Sequence, residues 1–250
     1  MKKLGFGLMR LPQNDPEDPK SIDMEQLKRM VDDFLAEGFT YFDTAYMYHD
    51  FQSEIAIREA LVKRHQRSDY TLTTKLPTMF LQKEEDMERI FQEQLEKCGV
   101  EYFDYYLLHN LGVSHYAIAQ KFDGFAFLQK KKAEGRIKKI GFSYHDDARL
   151  LDEILTAHPE TEVVQLQINY LDWEDQGIQS RKCYEIARKH GKEIIVMEPV
   201  KGGMLARLPD EAERLLKEAA PERSLASWAV RFAAGHEGVL TVLSGMSNIE

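Results

Sequence analysis

What most limits how this chain can fold is an alternation that runs from one end to the other. Short apolar runs trade places with longer segments whose apolar residues recur every three or four positions. Each short run suits a strand buried on both faces and each longer one an amphipathic helix, so the order reads as repeated β/α units around a parallel sheet. The runs fall at 4–8, 40–44, 70–75, 104–109, 138–143, 163–168, 194–198 and 239–244. Eight evenly spaced units, with no GxGxxG turn, predict a closed (β/α)8 barrel, the TIM barrel, rather than an open doubly wound sheet.

The helical stretches carry their own punctuation. Leu27, Met30, Val31, Phe34 and Leu35 share one face of a first helix, with Asp23 and Gln26 as a capping pair and Gly38 as its stop. Met87, Ile90, Phe91, Gln94, Leu95 and Cys98 repeat the pattern up to Gly99. Further helices are predicted over 52–65, 116–134, 147–157, 178–190 and 225–234, with Gly135, Gly191 and Gly235 at C-capping positions, and a shorter one over 210–219. The three prolines of 12–19 mark a loop, and nothing divides residues 1–250 into more than one domain.

Composition narrows the partners. A net charge of −9 argues against nucleic acid, which needs a cationic footprint, and leaves a small molecule. No apolar run approaches the roughly 18 residues that cross a bilayer, so no membrane is expected and a soluble, cytoplasmic protein is. Cys98 and Cys183 have neither metal-ligand nor redox spacing and read as buried free thiols.

In such a barrel, chemistry gathers where the strands end at their C-termini, so polar residues there carry the most information. The second strand runs into Asp43 and, beyond Tyr46, into Tyr48; the third ends at Lys75 and the fourth at His109. An acid, a phenol, an amine and an imidazole therefore surround one mouth. A phenol is a weak acid, with a reference pKa of about 10, and needs a neighbouring cation to release its proton. A buried lysine is such a neighbour, and a carboxylate holds its charge in a dry site. The set suits protonation of an oxygen while a hydride arrives at the attached carbon. Taken singly, each residue has an ordinary reading as a turn, snorkelling or packing residue; together at successive strand ends they favour chemistry. Tyr46, Phe51, Met79 and Phe80 read as an apolar, partly aromatic wall of a substrate pocket.

The run from Gly38 to Tyr48, followed by Ser53-Glu54, Lys75 and His109, resembles the aldo/keto reductase signature in residue order and spacing. The resemblance spans nearly the whole chain. It implies a reductase that takes hydride from NADP, or alternatively NAD, to a small-molecule aldehyde or ketone. Tyr48 would be the general acid, Lys75 would depress its pKa, Asp43 would pair with the lysine and His109 would orient the carbonyl. Gly141-Phe142-Ser143-Tyr144 resembles the family's Gly-x-Ser-Asn, with Ser143 on the nicotinamide carboxamide and Tyr144 in place of asparagine. Gln165, opening a Gln-x-x-x-Asn run that ends at Asn169, would be a further carboxamide contact, and Met197 takes the place of an aromatic stacking residue. Gly202 and Gly203 would admit the pyrophosphate, and Ser244, Gly245 and Ser247 would cradle a phosphate.

The chain departs from the pattern at its ends. It begins close to the first strand and stops at Glu250, before an eighth helix and before the cysteine-rich iron–sulfur segment of the branch it most resembles. A barrel lacking its last helix would expose the flank of its first and last strands, to be covered by a partner or a second copy. Two other readings stand beside reduction: a nicotinamide-binding regulatory or redox-sensor protein with little turnover, and a metal-dependent barrel using His109, His145, Asp146 and Asp147. The second reads more simply as a loop and a helix cap, so no metal is expected.

Overall fold

Eight parallel strands pair in chain order and the eighth returns to the first, closing a barrel. The computed structural model describes residues 2–249. The strands are β1 (Leu4–Gly7), β2 (Tyr41–Asp43), β3 (Thr71–Leu76), β4 (Phe103–Leu111), β5 (Ile137–Tyr144), β6 (Val163–Gln167), β7 (Glu193–Met197) and β8 (Val239–Gly245). Each lies within two residues of the run predicted for it.

Between them come α1 (Met24–Ala36), α2 (Ser53–Ile57), α3 (Glu85–Cys98), α4 (Val113–Lys121), α5 (Gly124–Ala133), α6 (Ala148–Ala157), α7 (Ser180–Lys189), α8 (Asp210–Ala219) and α9 (Leu225–Gly235). Asp23 caps α1 by accepting the Gln26 amide at 3.0 Å, and Gly99 ends α3 in the left-handed region at φ 70°. The predicted helix over 52–65 begins as α2 and widens into a π-helical turn over Arg58–Val62.

Two local predictions need correction. The helix expected over 116–134 is two, because Asp123 adopts φ 56° and re-aims the chain. Gly124 then lies so close to β4 that an added Cβ would stand 3.3 Å from Leu108 Cδ2. Phe125 and Leu128 are buried from the new direction. Gly235 is the last residue of α9 rather than its cap; His236 leaves in extended conformation, stacked on Trp173 with ring centroids 4.3 Å apart, and Gly238 supplies the left-handed residue at φ 77°.

Side chains alternate across each strand, so the barrel divides two cores. Tyr41, Tyr105, Leu107, Val163, Ile195 and Leu243 form an inner cluster. The larger core lies between strands and helices, where Phe6 of β1 meets Phe34 of α1 edge-on at 5.4 Å. Inside, Gly141 packs so tightly on β6 that an added Cβ would fall 2.0 Å from the Val163 carbonyl oxygen.

The expectation of exposed strand flanks is also corrected. β1 and β8 pair from Leu4↔Val242 to Gly7↔Gly245, which leaves no free edge, and Phe6 and Val242 are fully buried on the outward face. No helix follows β8 among the described residues, and none of their helices is long and apolar enough to cross a membrane.

Candidate active site

The mouth takes shape just beyond β2. His49, Asp50 and Phe51 have φ of 51°, 49° and 68°, three successive left-handed residues that each cost about 1–2 kcal/mol without a glycine. Neighbouring bonds hold them: Ser53 N–H donates to the Tyr48 carbonyl at 3.2 Å and Gln52 N–H to that of His49 at 3.1 Å. The His49 ring accepts the Leu11 amide on Nε2 at 2.9 Å and faces the Pro19 carbonyl with Nδ1 at 3.0 Å, an arrangement that fits the neutral Nδ1–H tautomer. The turn follows Tyr48 directly and ties the loop after β1 to the loop after β2.

Lys75 projects inward from β3. Its ammonium donates to Asp43 Oδ1 at 2.5 Å and to the Thr44 carbonyl at 2.8 Å. Gln165 reaches Asp43 Oδ2 from β6 at 3.4 Å. Burial raises the Asp43 carboxyl above its usual range while Lys75 pulls it back down. For Lys75, burial opposes the charge, but Asp43 and Tyr48 together hold the amine above its ordinary pKa, so the ammonium persists.

Tyr48 and His109 complete the set. The Lys75 ammonium stands 5.2 Å from the Tyr48 ring centroid, and the Tyr48 and His109 rings meet edge-on at 6.0 Å. Burial raises Tyr48 above the usual phenol value, Lys75 lowers it, Asp43 and Glu198 add to the rise, and the net direction is upward. Burial, with help from the Lys75 charge, pushes His109 well below the usual imidazole range. His109 is therefore neutral at pH 7, and its buried Nδ1 has no hydrogen-bond partner.

On the neighbouring strands, Ser143 Oγ accepts the Asn110 amide at 2.7 Å, which leaves its own proton to donate elsewhere. Gln165 is buried with Oε1 unpartnered. Tyr144, at the position of the family's asparagine, donates its hydroxyl to the Asp147 carbonyl at 2.5 Å and offers no group to the mouth. Met197 ends β7, partly buried. Gly202 and Gly203 are left-handed at φ 64° and 95°. Ser244 pairs with Phe6 and shares its outward side, whereas Gly245 and the exposed Ser247 lie at the rim beyond it.

The residues of the expected aromatic wall pack on one another and on α3. Tyr46, Phe51 and Phe80 pack with centroids 5.3–6.0 Å apart, yet Tyr46 donates to Glu93 at 3.0 Å and Lys97 sits 4.4 Å over its ring. These contacts anchor the cluster to α3. Met79 is partly buried in the 3-10 turn over Thr78–Phe80, whose Thr78 hydroxyl donates to the His109 carbonyl at 3.0 Å.

Sequence reasoning missed the buried brace behind this rim. Asn169 donates to Asp172 Oδ2 at 2.7 Å and to the Glu198 carbonyl at 3.0 Å, and Asp172 also takes Gln167 at 2.7 Å and the Lys201 ammonium. The spacing Asn169-x-x-Asp172, typical of side chains that cap their own turn, was its only signal. Of the residues weighed for a metal, Asp147 caps α6 through the Leu150 amide at 2.8 Å and Asp146 accepts the Val113 amide at 3.0 Å. No group of three or more His, Cys, Asp or Glu is placed to hold a metal among the described residues.

A parallel barrel thus carries a buried amine–carboxylate pair, a phenol and a neutral imidazole at its C-terminal mouth. The aldo/keto reductase family profile matches residues 3–250, and the chain belongs to that family. Among solved structures it is similar to the holo form of an aldo-keto reductase from Bacillus halodurans, with 25% identity, TM-score 0.74, and coverage of 99% of this chain and 83% of that one. An aldo/keto reductase from Klebsiella pneumoniae, in complex with NADP and acetate, superposes with TM-score 0.78 at 19% identity over 100% of this chain and 82% of its own. A glycerol dehydrogenase from Gluconobacter oxydans gives TM-score 0.71 at 16% identity over 98% and 82%. No curated protein matches the chain in sequence.

Proposed function

We propose that this chain reduces an aldehyde or ketone to an alcohol with NADPH, Tyr48 supplying the proton. The observation that carries the reading is the convergence on one mouth of the buried Lys75–Asp43 pair, Tyr48 and the neutral His109. The nicotinamide supplies the hydride that forms the new C–H bond. This chain's residues do the rest. His109 hydrogen-bonds the carbonyl oxygen and sets its angle, and Tyr48 gives its proton to that oxygen as negative charge develops. Lys75 steadies the phenolate left behind, which water reprotonates, and Asp43 keeps the lysine charged.

The residues fit the cofactor. The unpartnered Oε1 of Gln165 and the free hydroxyl proton of Ser143 offer an acceptor and a donor for a carboxamide, and the rim glycines leave open backbone for phosphates. NADP in the Klebsiella pneumoniae structure supports the same choice. The test is fluorescence titration with NADPH and NADH, then a panel of carbonyl compounds followed at the nicotinamide absorbance, for wild type and Tyr48→Phe. Turnover that vanishes in the variant while NADPH affinity holds is the expected result. Undiminished turnover would remove Tyr48 as the acid; binding without wild-type turnover would favour a sensor.

A further inference from the structure

His109 is aimed without help from its own ring. Its buried Nδ1 has no hydrogen-bond partner, so the second bond that commonly fixes an imidazole's orientation is missing. What is held instead is the backbone around it. The His109 carbonyl accepts the Thr78 hydroxyl at 3.0 Å. The next residue, Asn110, adopts φ 61° where the pairing of β4 with β5 slips between Leu108 and Leu111. A bulge of this kind re-aims the side chains around it. Asparagine enters the left-handed region more readily than most residues, but only glycine enters it without steric cost.

Both polar groups of the Asn110 backbone are engaged. Its N–H donates to Ser143 Oγ on β5 at 2.7 Å, and its carbonyl accepts Nδ1–H of His115, in the first turn of α4, at 2.6 Å. A carbonyl oxygen only accepts, so Nδ1 carries the proton in that bond whether the ring is neutral or charged. The start of α4 is itself fixed over the loop after β5. Val113 N–H donates to Asp146 Oδ2 at 3.0 Å, and a methyl group on Gly112 would meet that same oxygen at 2.9 Å. His115 therefore grips Asn110 from a fixed platform.

Resting on the reductase reading above, we propose that His115 is a positioning residue for the reaction: its hold on the Asn110 carbonyl keeps the left-handed bend that sets the His109 ring against the substrate carbonyl. Ser143 closes the bracket from the other side. The effect passes through one peptide unit, so losing His115 misaligns His109 without removing any group that reacts. A specific rescue follows. If His115 matters because Asn110 resists its conformation, a glycine at that position makes the grip dispensable.

The experiment compares wild type, His115→Ala, His115→Asn and the double variant Asn110→Gly/His115→Ala in carbonyl reduction, with NADPH affinity and melting temperature measured on each. His115→Ala should lower kcat about ten- to hundredfold, as a small misplacement of a group acting in the transition state does, while the Kd for NADPH moves less than about twofold. His115→Asn, whose amide can donate from near the Nδ1 position, should recover most of the loss, and so should the double variant. Independently of turnover, the imidazole NMR signals of His109 in the nucleotide-free protein, assigned through His109→Gln, should shift in His115→Ala and return in the double variant. Unchanged kcat in His115→Ala, or a lower melting temperature as its only effect, would overturn the proposal. A loss that neither His115→Asn nor the double variant restores would overturn it too, making His115 a contact of the substrate. If wild type reduces no carbonyl compound, the reductase reading falls, and the His109 signals alone decide whether His115 sets the ring.

Discussion

Lys75 and Asp43 meet at 2.5 Å with their side chains 1% and 3% exposed, so each is the other's main compensation for leaving water. Removing one partner from such a pair costs about 3–5 kcal/mol, because the remaining charge is stranded, whereas removing both need cost far less. Lys75→Met alone should therefore lower stability by about that amount, and Asp43→Asn/Lys75→Met should regain a large part of it. Urea unfolding at pH 7 checks this. A double variant that loses the sum of the two single losses would show that the pair does not act as a unit.

The pH behaviour follows from the same mouth. Tyr48 is raised above its usual value, so its proton is lost only at strongly alkaline pH, and reduction should hold from neutrality upward until that limb is reached. His109 is depressed, so it stays neutral as pH falls through the ordinary imidazole range. A neutral native His109 contributes stability that is complete above its unfolded value and is lost as pH falls below it towards the folded one. The pH profile of kcat/KM for reduction should thus be flat across neutrality. A fall centred near pH 7 that persists in His109→Gln would mean another group controls the proton.

Glu54 titrates where neither of those does. It is fully buried, accepts on Oε1 from Thr74 at 2.7 Å and Gln94 at 2.6 Å, and leaves Oε2 without a partner. Burial raises its pKa from 4.5 to about 7. The native state therefore holds this proton more tightly than the unfolded chain does, and stability is lost as pH rises from the unfolded value through about 7, by roughly 3 kcal/mol in all. Glu54→Gln should remove that slope. Urea unfolding at pH 5 and pH 8 measures it, and equal slopes in both proteins would place the carboxyl in a wetter setting.

Why some features could be read in the sequence and others could not is visible in single residues. The strands were legible because an apolar run announces one, and the placing of Asp43, Lys75 and His109 at the mouth because the last inward residue of a strand faces it, whereas Tyr48 lies in the loop beyond β2. Asp123 was not legible, since its left-handed φ answers to how close Gly124 comes to Leu108, a contact between distant parts of the chain. That Glu93 and Lys97 of α3 would hold the Tyr46 and Phe51 rings could not be read from composition.

Gly141 shows how such packing can be tested. It faces into the barrel at its pairing with Val163, where a Cβ would fall 2.0 Å from the Val163 carbonyl oxygen and 2.7 Å from its Cγ1. Backbone cannot step aside as a flexible side chain can, so Gly141→Ala should cost at least the roughly 1–3 kcal/mol of an overpacked core. Thermal melting should show it. A variant as stable as wild type would mean β5 and β6 part easily.

The brace behind the turn after β7 gives the last expectation. Asp172 is 2% exposed and gathers Asn169, Gln167 and the Lys201 ammonium, and Asn169 in turn holds the Glu198 carbonyl. Glu198, Lys201, Gly202 and Gly203 all have positive φ, so the turn after β7 keeps a conformation that the brace must enforce. Asp172→Asn removes the charge that fixes Lys201 but touches none of Asp43, Tyr48, Lys75 or His109. KM for NADPH should rise roughly tenfold while kcat at saturating cofactor stays close to wild type, since the loss falls on binding and not on the proton-transfer groups. A fall in kcat with KM unchanged would instead place Asp172 among the groups that shape the transition state.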